Sequence, residues 1–208
     1  MRYSSLGPAL AAALLTGAAF AAAPPAAPPA PAAAPAAAGR HYTLDAAKSS
    51  LQFTFLQAGA QNSGRFPRFA VALDFPGADP AGGRLEVTVE VAALDTGDKD
   101  RDDTLKSDDL FAVKKFPQAH FSAAQILKTA SGYEAVGRLT IRDASREIHV
   151  PFTFRTVTEA GVSAGYMSGK TTIRRLDYGV GQGDWKATDQ VGNDVGVSFA
   201  LRLTSAAR

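Results

Sequence analysis

Hydrophobic and polar residues alternate along most of the chain beyond residue 40. Leu85, Val87, Val89 and Val91 alternate with Arg84, Glu86, Thr88 and Glu90. Ile148, Val150, Phe152 and Phe154 alternate with His149, Pro151, Thr153 and Arg155. Leu51, Phe53 and Phe55 repeat the pattern, as do Ala135, Gly137, Leu139 and Ile141, and Val195, Val197, Phe199, Leu201 and Leu203. Successive side chains of a strand point to opposite faces, so each segment presents one apolar and one mostly wet face. Turn-forming stretches such as Ala78-Asp79-Pro80-Ala81-Gly82-Gly83 and Ser131-Gly132 separate them. Many short strands with little helix predict an all-β fold, a roughly eight-stranded antiparallel barrel that can enclose a ligand.

Two stretches depart from alternation. Residues 92–116 are long, charged and poor in β-formers, with the run Asp98-Lys99-Asp100-Arg101-Asp102-Asp103 followed by Leu105, Leu110 and Phe111 near helical spacing. A short helix docked at a barrel end suits this long connection. Gly179-Val180-Gly181-Gln182-Gly183-Asp184-Trp185 predicts a glycine-rich loop holding the only tryptophan.

The N-terminus has a different character. Met1-Arg2, the Ala/Leu-rich run from Leu6 to Phe20 and Ala19-Phe20-Ala21 predict a signal peptide over residues 1–21, cleaved after Ala21. The run is too short and too alanine-rich for a spanning helix. Residues 22–39, almost entirely alanine and proline, predict an extended linker, and residues 40–208 a single domain. This organisation predicts a periplasmic protein. The chain has no cysteine, so neither a lipid-anchored N-terminus nor a disulfide framework is available. Its 22 basic and 20 acidic residues are interleaved, without the basic stripe a nucleic-acid binder needs.

Candidate chemistry is sparse. Asp98, Asp100 and Asp102 have the opening spacing of a calcium loop, and Asp109 the position of its last acid. Asp103 replaces the required glycine, so a solvated stretch is the better reading. The glycines at 179–183 do not follow a strand into a helix and lack a phosphate-binding lysine. His41, His120 and His149 show no metal-ligand spacing, and Ser168 lies outside a nucleophile elbow. The expectation is a non-enzymatic protein without cofactor or metal.

An ordered set of segments resembles the YceI family of periplasmic, lipocalin-like proteins. It comprises Tyr42-Thr43-Leu44-Asp45, Ser50-Leu51-Gln52-Phe53, Gly64-Arg65-Phe66 with Phe69, Leu94-Asp95-Thr96, and Arg101 through Phe111. Phe116-Pro117-Gln118-Ala119-His120-Phe121, Gly137 through Arg142, Arg175 through Gly181, and Asn193-Asp194-Val195 complete it. Two strand-end departures, Lys48-Ser49 for a His-Ser pair and Asp143-Ala144-Ser145-Arg146 for a Gly-x-Thr-Lys turn, bear on rim contacts rather than on the barrel. The resemblance implies a barrel holding a polyisoprenoid or isoprenoid quinone. The expected lumen wall is Phe53, Phe55, Phe69, Val87, Val89, Phe121, Leu139, Ile141, Phe152, Phe154 and Phe199, with Leu105, Leu110, Phe111, Phe116, Tyr178 and Trp185 nearer the mouth. The Gly-Asp-Trp piece resembles the branch associated with membrane b-type cytochromes. The alternative reading is therefore an interaction module for such a partner, with a packed barrel core.

Overall fold

The computed structural model describes residues 39–77, 79–159 and 162–205; the expected signal peptide and nearly all of the linker lie outside these described residues. The strands are β1 (Arg40–Leu44), β2 (Ser50–Gln57), β3 (Ala60–Arg65), β4 (Phe69–Phe75), β5 (Arg84–Glu90), β6 (Gln118–Thr129), β7 (Gly132–Ile141), β8 (Ala144–Glu159), β9 (Val162–Arg174) and β10 (Val191–Ser205), and α1 (Lys99–Lys106) is the one α-helix among the described residues. From β4 to β10 each strand pairs antiparallel with the next, and β1 lies between β10 and β4. That double pairing closes a barrel of eight strands: Tyr42 stands opposite Ser205 on one side and Leu73 on the other. The long β10 also pairs with β2, Val195 opposite Phe55 and Phe199 opposite Leu51, so the β2–β3 hairpin extends the wall at one end.

That end carries the β2–β3, β7–β8 and β9–β10 connections together with α1 and forms a cap. The charged run predicted as a solvated stretch is itself the helix. Asp98 is its N-cap, accepting from the backbone N–H of Arg101 (3.1 Å), and Asp100 and Asp102 stand in its first turn. Carboxylates there satisfy free N–H groups and complement the positive end of the helix dipole, which outweighs the run's low apolar content. The helix ends at Ser107, so Leu110 and Phe111 follow in a turn rather than on the helix. Asp102 accepts from both the N–H (2.9 Å) and hydroxyl (2.6 Å) of Thr96, fixing the chain that enters α1.

Arginines stitch the cap to the barrel. Arg142, at the β7–β8 turn, donates to Leu110 O (2.5 Å) and Gly179 O (2.8 Å), joining the segment after α1 to the glycine-rich loop. Arg175, only 5% exposed, donates from Nε to Gly192 O (3.0 Å), from Nη1 to Val180 O (2.9 Å), and from Nη2 to Val191 O (2.7 Å) and Ala187 O (3.5 Å). No carboxylate among the described residues pairs with it, and burial pushes its pKa down. Its fork suits several backbone carbonyls at once, which explains how a buried cation is tolerated. Gly181 makes this possible: at φ +119°, any side chain there would collide with the guanidinium.

The barrel interior has two halves. Away from the cap, Tyr42, Leu73, Phe75, Ile126, Phe152 and Leu203 pack in one buried cluster, each no more than 3% exposed. Tyr42 stacks on Phe75 (5.5 Å between centroids), and Phe154 meets both rings edge-on at 5.7 and 5.8 Å. Phe152 stacks on Tyr133 at 5.5 Å. Towards the cap, inward residues such as Val87, Leu139, Val197 and Phe199 are only half-buried although they point into the barrel. This half is hollow.

The same truncation should therefore differ between the halves. Phe152→Ala, in the solid half, is expected to destabilise the protein by about 3–5 kcal/mol, and Phe199→Ala, beside the void, by roughly half as much. Urea unfolding midpoints of freshly refolded protein measure both; equal losses would contradict the division. Arg175→Met strands the carbonyls it serves and is expected to lose about 3 kcal/mol or more by the same measurement, with Arg175→Lys recovering only part because a lysine cannot reproduce the fork.

Candidate functional site

The hollow half encloses a cavity of about 500 Å³ that opens at the cap. Inward side chains of β2, β4–β10 and the cap build its wall, and that wall is apolar from the floor to near the opening. The alternation explains why: each strand contributes every second residue, and those residues are Val, Leu, Ile and Phe. Thr171 is a hydroxyl set into the wall, and it donates to His149 O (3.3 Å), so its hydrogen-bonding capacity is used by the barrel itself.

Charged and other polar groups gather at the cap end. Asp98, Asp100, Arg101 and Thr104 come from α1 and its N-cap, Gln57 from the end of β2, and Arg175 from just beyond β9. Arg101 lies 3.7 Å from Asp98, so these rim charges offset one another. Arg65 holds Asp95 by two hydrogen bonds (2.9 and 2.6 Å), pinning the β2–β3 hairpin to the chain entering α1. That guanidinium, with the N–H of Gly97, holds the Asp95 carboxyl below the usual range. Phe66 and Phe53 face each other at 4.9 Å beside the opening. Such a vessel can take up an apolar chain and leave a polar end at the rim. Among the described residues no three carboxylate or imidazole groups converge on a common point: Asp98 and Asp102 are engaged in fixing α1.

Most of the residues expected from sequence converge here. Phe53, Phe55, Phe69, Val87, Val89, Phe121, Leu139, Ile141 and Phe199 line the wall, and Leu105, Leu110, Phe111 and Trp185 line it near the cap. Four stand elsewhere. Phe152 and Phe154 point inward as expected, but in the solid half, where large rings from neighbouring strands meet and fill the section. Phe116 lies under the Arg142 guanidinium (5.8 Å) outside the cavity. Tyr178 is buried between the cap and the barrel top among Val91, Leu94, Leu110 and Ile141, and burial raises its pKa.

Sequence reasoning missed other wall residues. Leu85, Val91, Ile148, Val150, Val195, Val197 and Leu201 belong to the same alternating runs as the chosen ones and were legible in them. Met167 and Ile173 sit on β9, where glycines and threonines mask the period. Nothing in the local sequence marks Arg175 or the rim arrangement of Arg101.

Comparison with known proteins accords with this geometry. A UPF0312 protein of Yersinia enterocolitica is 29% identical over 110 residues, 53% of this chain and 54% of that protein, so the chain spans about half the length of the curated relatives it matches. Among solved structures, Burkholderia cenocepacia BcnA is similar with a TM-score of 0.70 and 32% identity, covering 76% of this chain and 98% of BcnA. A polyisoprenoid binding domain from Saccharophagus degradans, implicated in plant cell wall breakdown, shares the fold at TM-score 0.59 and 16% identity, covering 79% of this chain and 98% of that one. The YceI-like domain matches residues 42–203, from the closing strand to the end of the barrel, and the chain belongs to the YceI-like family.

Proposed function

We propose that this protein is a periplasmic carrier that seats the tail of a polyisoprenoid-type lipid in the hollow half of its barrel and leaves the head group at the rim. One observation carries the reading: an apolar cavity of about 500 Å³ whose charged lining residues all come from α1, its N-cap and the chain just beyond β9. An amphiphile is the ligand class that matches both ends. Each buried CH₂ gains about 0.8 kcal/mol, so a dozen enclosed carbons offer roughly 10 kcal/mol before ordering costs. Affinity of this kind needs no motif, only shape and water exclusion. The likeness in fold to the polyisoprenoid binding domain of Saccharophagus degradans supports the same ligand class. The basic start, apolar run and Ala19-Phe20-Ala21 support export.

Gently purified protein is expected to release a prenyl lipid into organic solvent, identified by mass spectrometry. Val87→Thr/Val89→Thr keeps side-chain size while placing two hydroxyls against the tail, and should reduce retention at least about tenfold with an unchanged circular dichroism spectrum. Glu86→Gln, on the outer face of the same strand, should retain lipid normally. Absence of lipid from the unaltered protein, or equal retention in all three, would sink the assignment. Intact mass of the exported protein is expected to correspond to a chain beginning at Ala22.

A further inference from the structure

We infer that the tip of the β2–β3 hairpin is a foot that sets the cap end of the barrel on a bilayer surface, where cargo enters and leaves; this rests on the lipid-carrier reading. β2 ends at Gln57 and β3 starts at Ala60, so Ala58 and Gly59 form a two-residue turn with Gln57 opposite Ala60. Leu56, Ala58, Gly59 and Ala60 are all exposed, Leu56 by 52%. The Ala58 N–H donates to Gln190 O (2.8 Å), bracing the turn against the β9–β10 connection. A side chain built at Gly59 would meet nothing within 4 Å, so that side of the tip is open.

The turn is built from the wrong residue for water. Ala58 has φ +47° and Gly59 φ +76°, the two left-handed conformations that a type I′ hairpin turn requires. Asparagine, aspartate or glycine suits the first of these positions, whereas the Cβ of alanine is strained there and offers water no polar group. A strained, exposed alanine two residues from an exposed leucine serves poorly in a hairpin that meets only solvent. It suits a tip that meets lipid, and no residue from Leu56 to Ala60 carries a charge.

Placement supplies the occupant. Gln57, between Leu56 and Ala58, lines the cavity, and Phe53 and Phe55 of the same strand continue its wall. A prenyl lipid is scarcely soluble in water, so its carrier must meet a membrane to load and unload, and this foot stands beside the polar rim of the cavity. A stable protein interface buries about 800 Å² on each side, which five mostly small residues cannot supply. A bilayer needs no complementary shape. Leu127, the other exposed large apolar residue among the described ones at 39%, lies near the far end of β6 opposite the Glu134 carboxylate and serves as an internal control.

Because the chain has no cysteine, a single one can be labelled. Exported protein carrying Ala60→Cys or Leu127→Cys, each with an environment-sensitive nitrobenzoxadiazole dye, is mixed with phosphatidylcholine vesicles. The dye at position 60 is expected to shift to the blue and brighten about threefold or more, in low and high salt alike, while the dye at position 127 stays unchanged. Leu56→Gln beside Ala60→Cys should raise the vesicle concentration for half the response about fivefold or more. Ala58→Asn separates docking from folding: it relieves the turn and should raise the urea midpoint, yet weaken the vesicle response about threefold or more. An unshifted dye at position 60, an equal shift at position 127, or an Ala58→Asn protein that docks as before overturns the foot and leaves the carrier reading untouched. A shift that grows with protein concentration in the absence of vesicles assigns the tip to a second copy of the chain and overturns it too. Protein that docks but releases no prenyl lipid overturns the carrier reading and not the docking.

Discussion

Eight strands closed in a ring fix a radius at which side chains just reach the axis, and everything else in this structure follows from whether they do. Large inward residues meet and make a solid; small ones leave space. Away from the cap the inward positions are Tyr42, Phe75, Phe152, Phe154 and Ile126, and they interlock. Towards the cap they include Val87, Val89, Val91, Val150, Val195 and Val197, and the opposite walls do not touch. One backbone architecture thus carries a core and a container. The closing strand β1 takes part in both tasks: it joins β10 to β4 and contributes Tyr42, fully buried, to the plug.

The open end needs different physics. Long connections there have no strand ladder, so beside their own turn hydrogen bonds some carbonyls are served by side chains. Arg175 and Arg142 supply them, one gathering four carbonyls around the β9–β10 connection, the other bridging the α1 segment to the glycine-rich loop. The cap is therefore held by charge-assisted hydrogen bonds together with the apolar cluster around Tyr178, while the opposite end is held by ring packing.

Much of this was legible in the chain. Period-two alternation identified β2, β5, β7, β8 and β10 and their inward faces, because that period is a property of the backbone. It could not say how far along the barrel each inward residue sits. Phe152 and Phe199 look alike in sequence and both stand opposite Gly169 on β9, yet Phe152 is buried against Tyr133 while Phe199 lines the cavity, a difference that alternation does not encode. The charged run illustrates a second limit. Its composition suggests a loop, but Asp98 and Asp102 are placed to cap and brace a helix, and positional chemistry overrode average propensity. Arg175 illustrates a third. Its partners lie between 5 and 17 residues along the chain and are all main-chain oxygens, which carry no sequence signature.

The hollow half also bears on folding. Its valines and leucines remain partly accessible although they point inward, so the empty protein forgoes part of the apolar burial that an eight-stranded barrel could reach. Any oily guest that fits completes this unfinished interior, and it does so only in the native state. Occupancy and native-state population are then coupled by mass action, each decade of guest concentration above its dissociation constant adding about 1.4 kcal/mol of resistance to unfolding. In a chain without cysteine, a bound apolar molecule would in this way act as a further structural component.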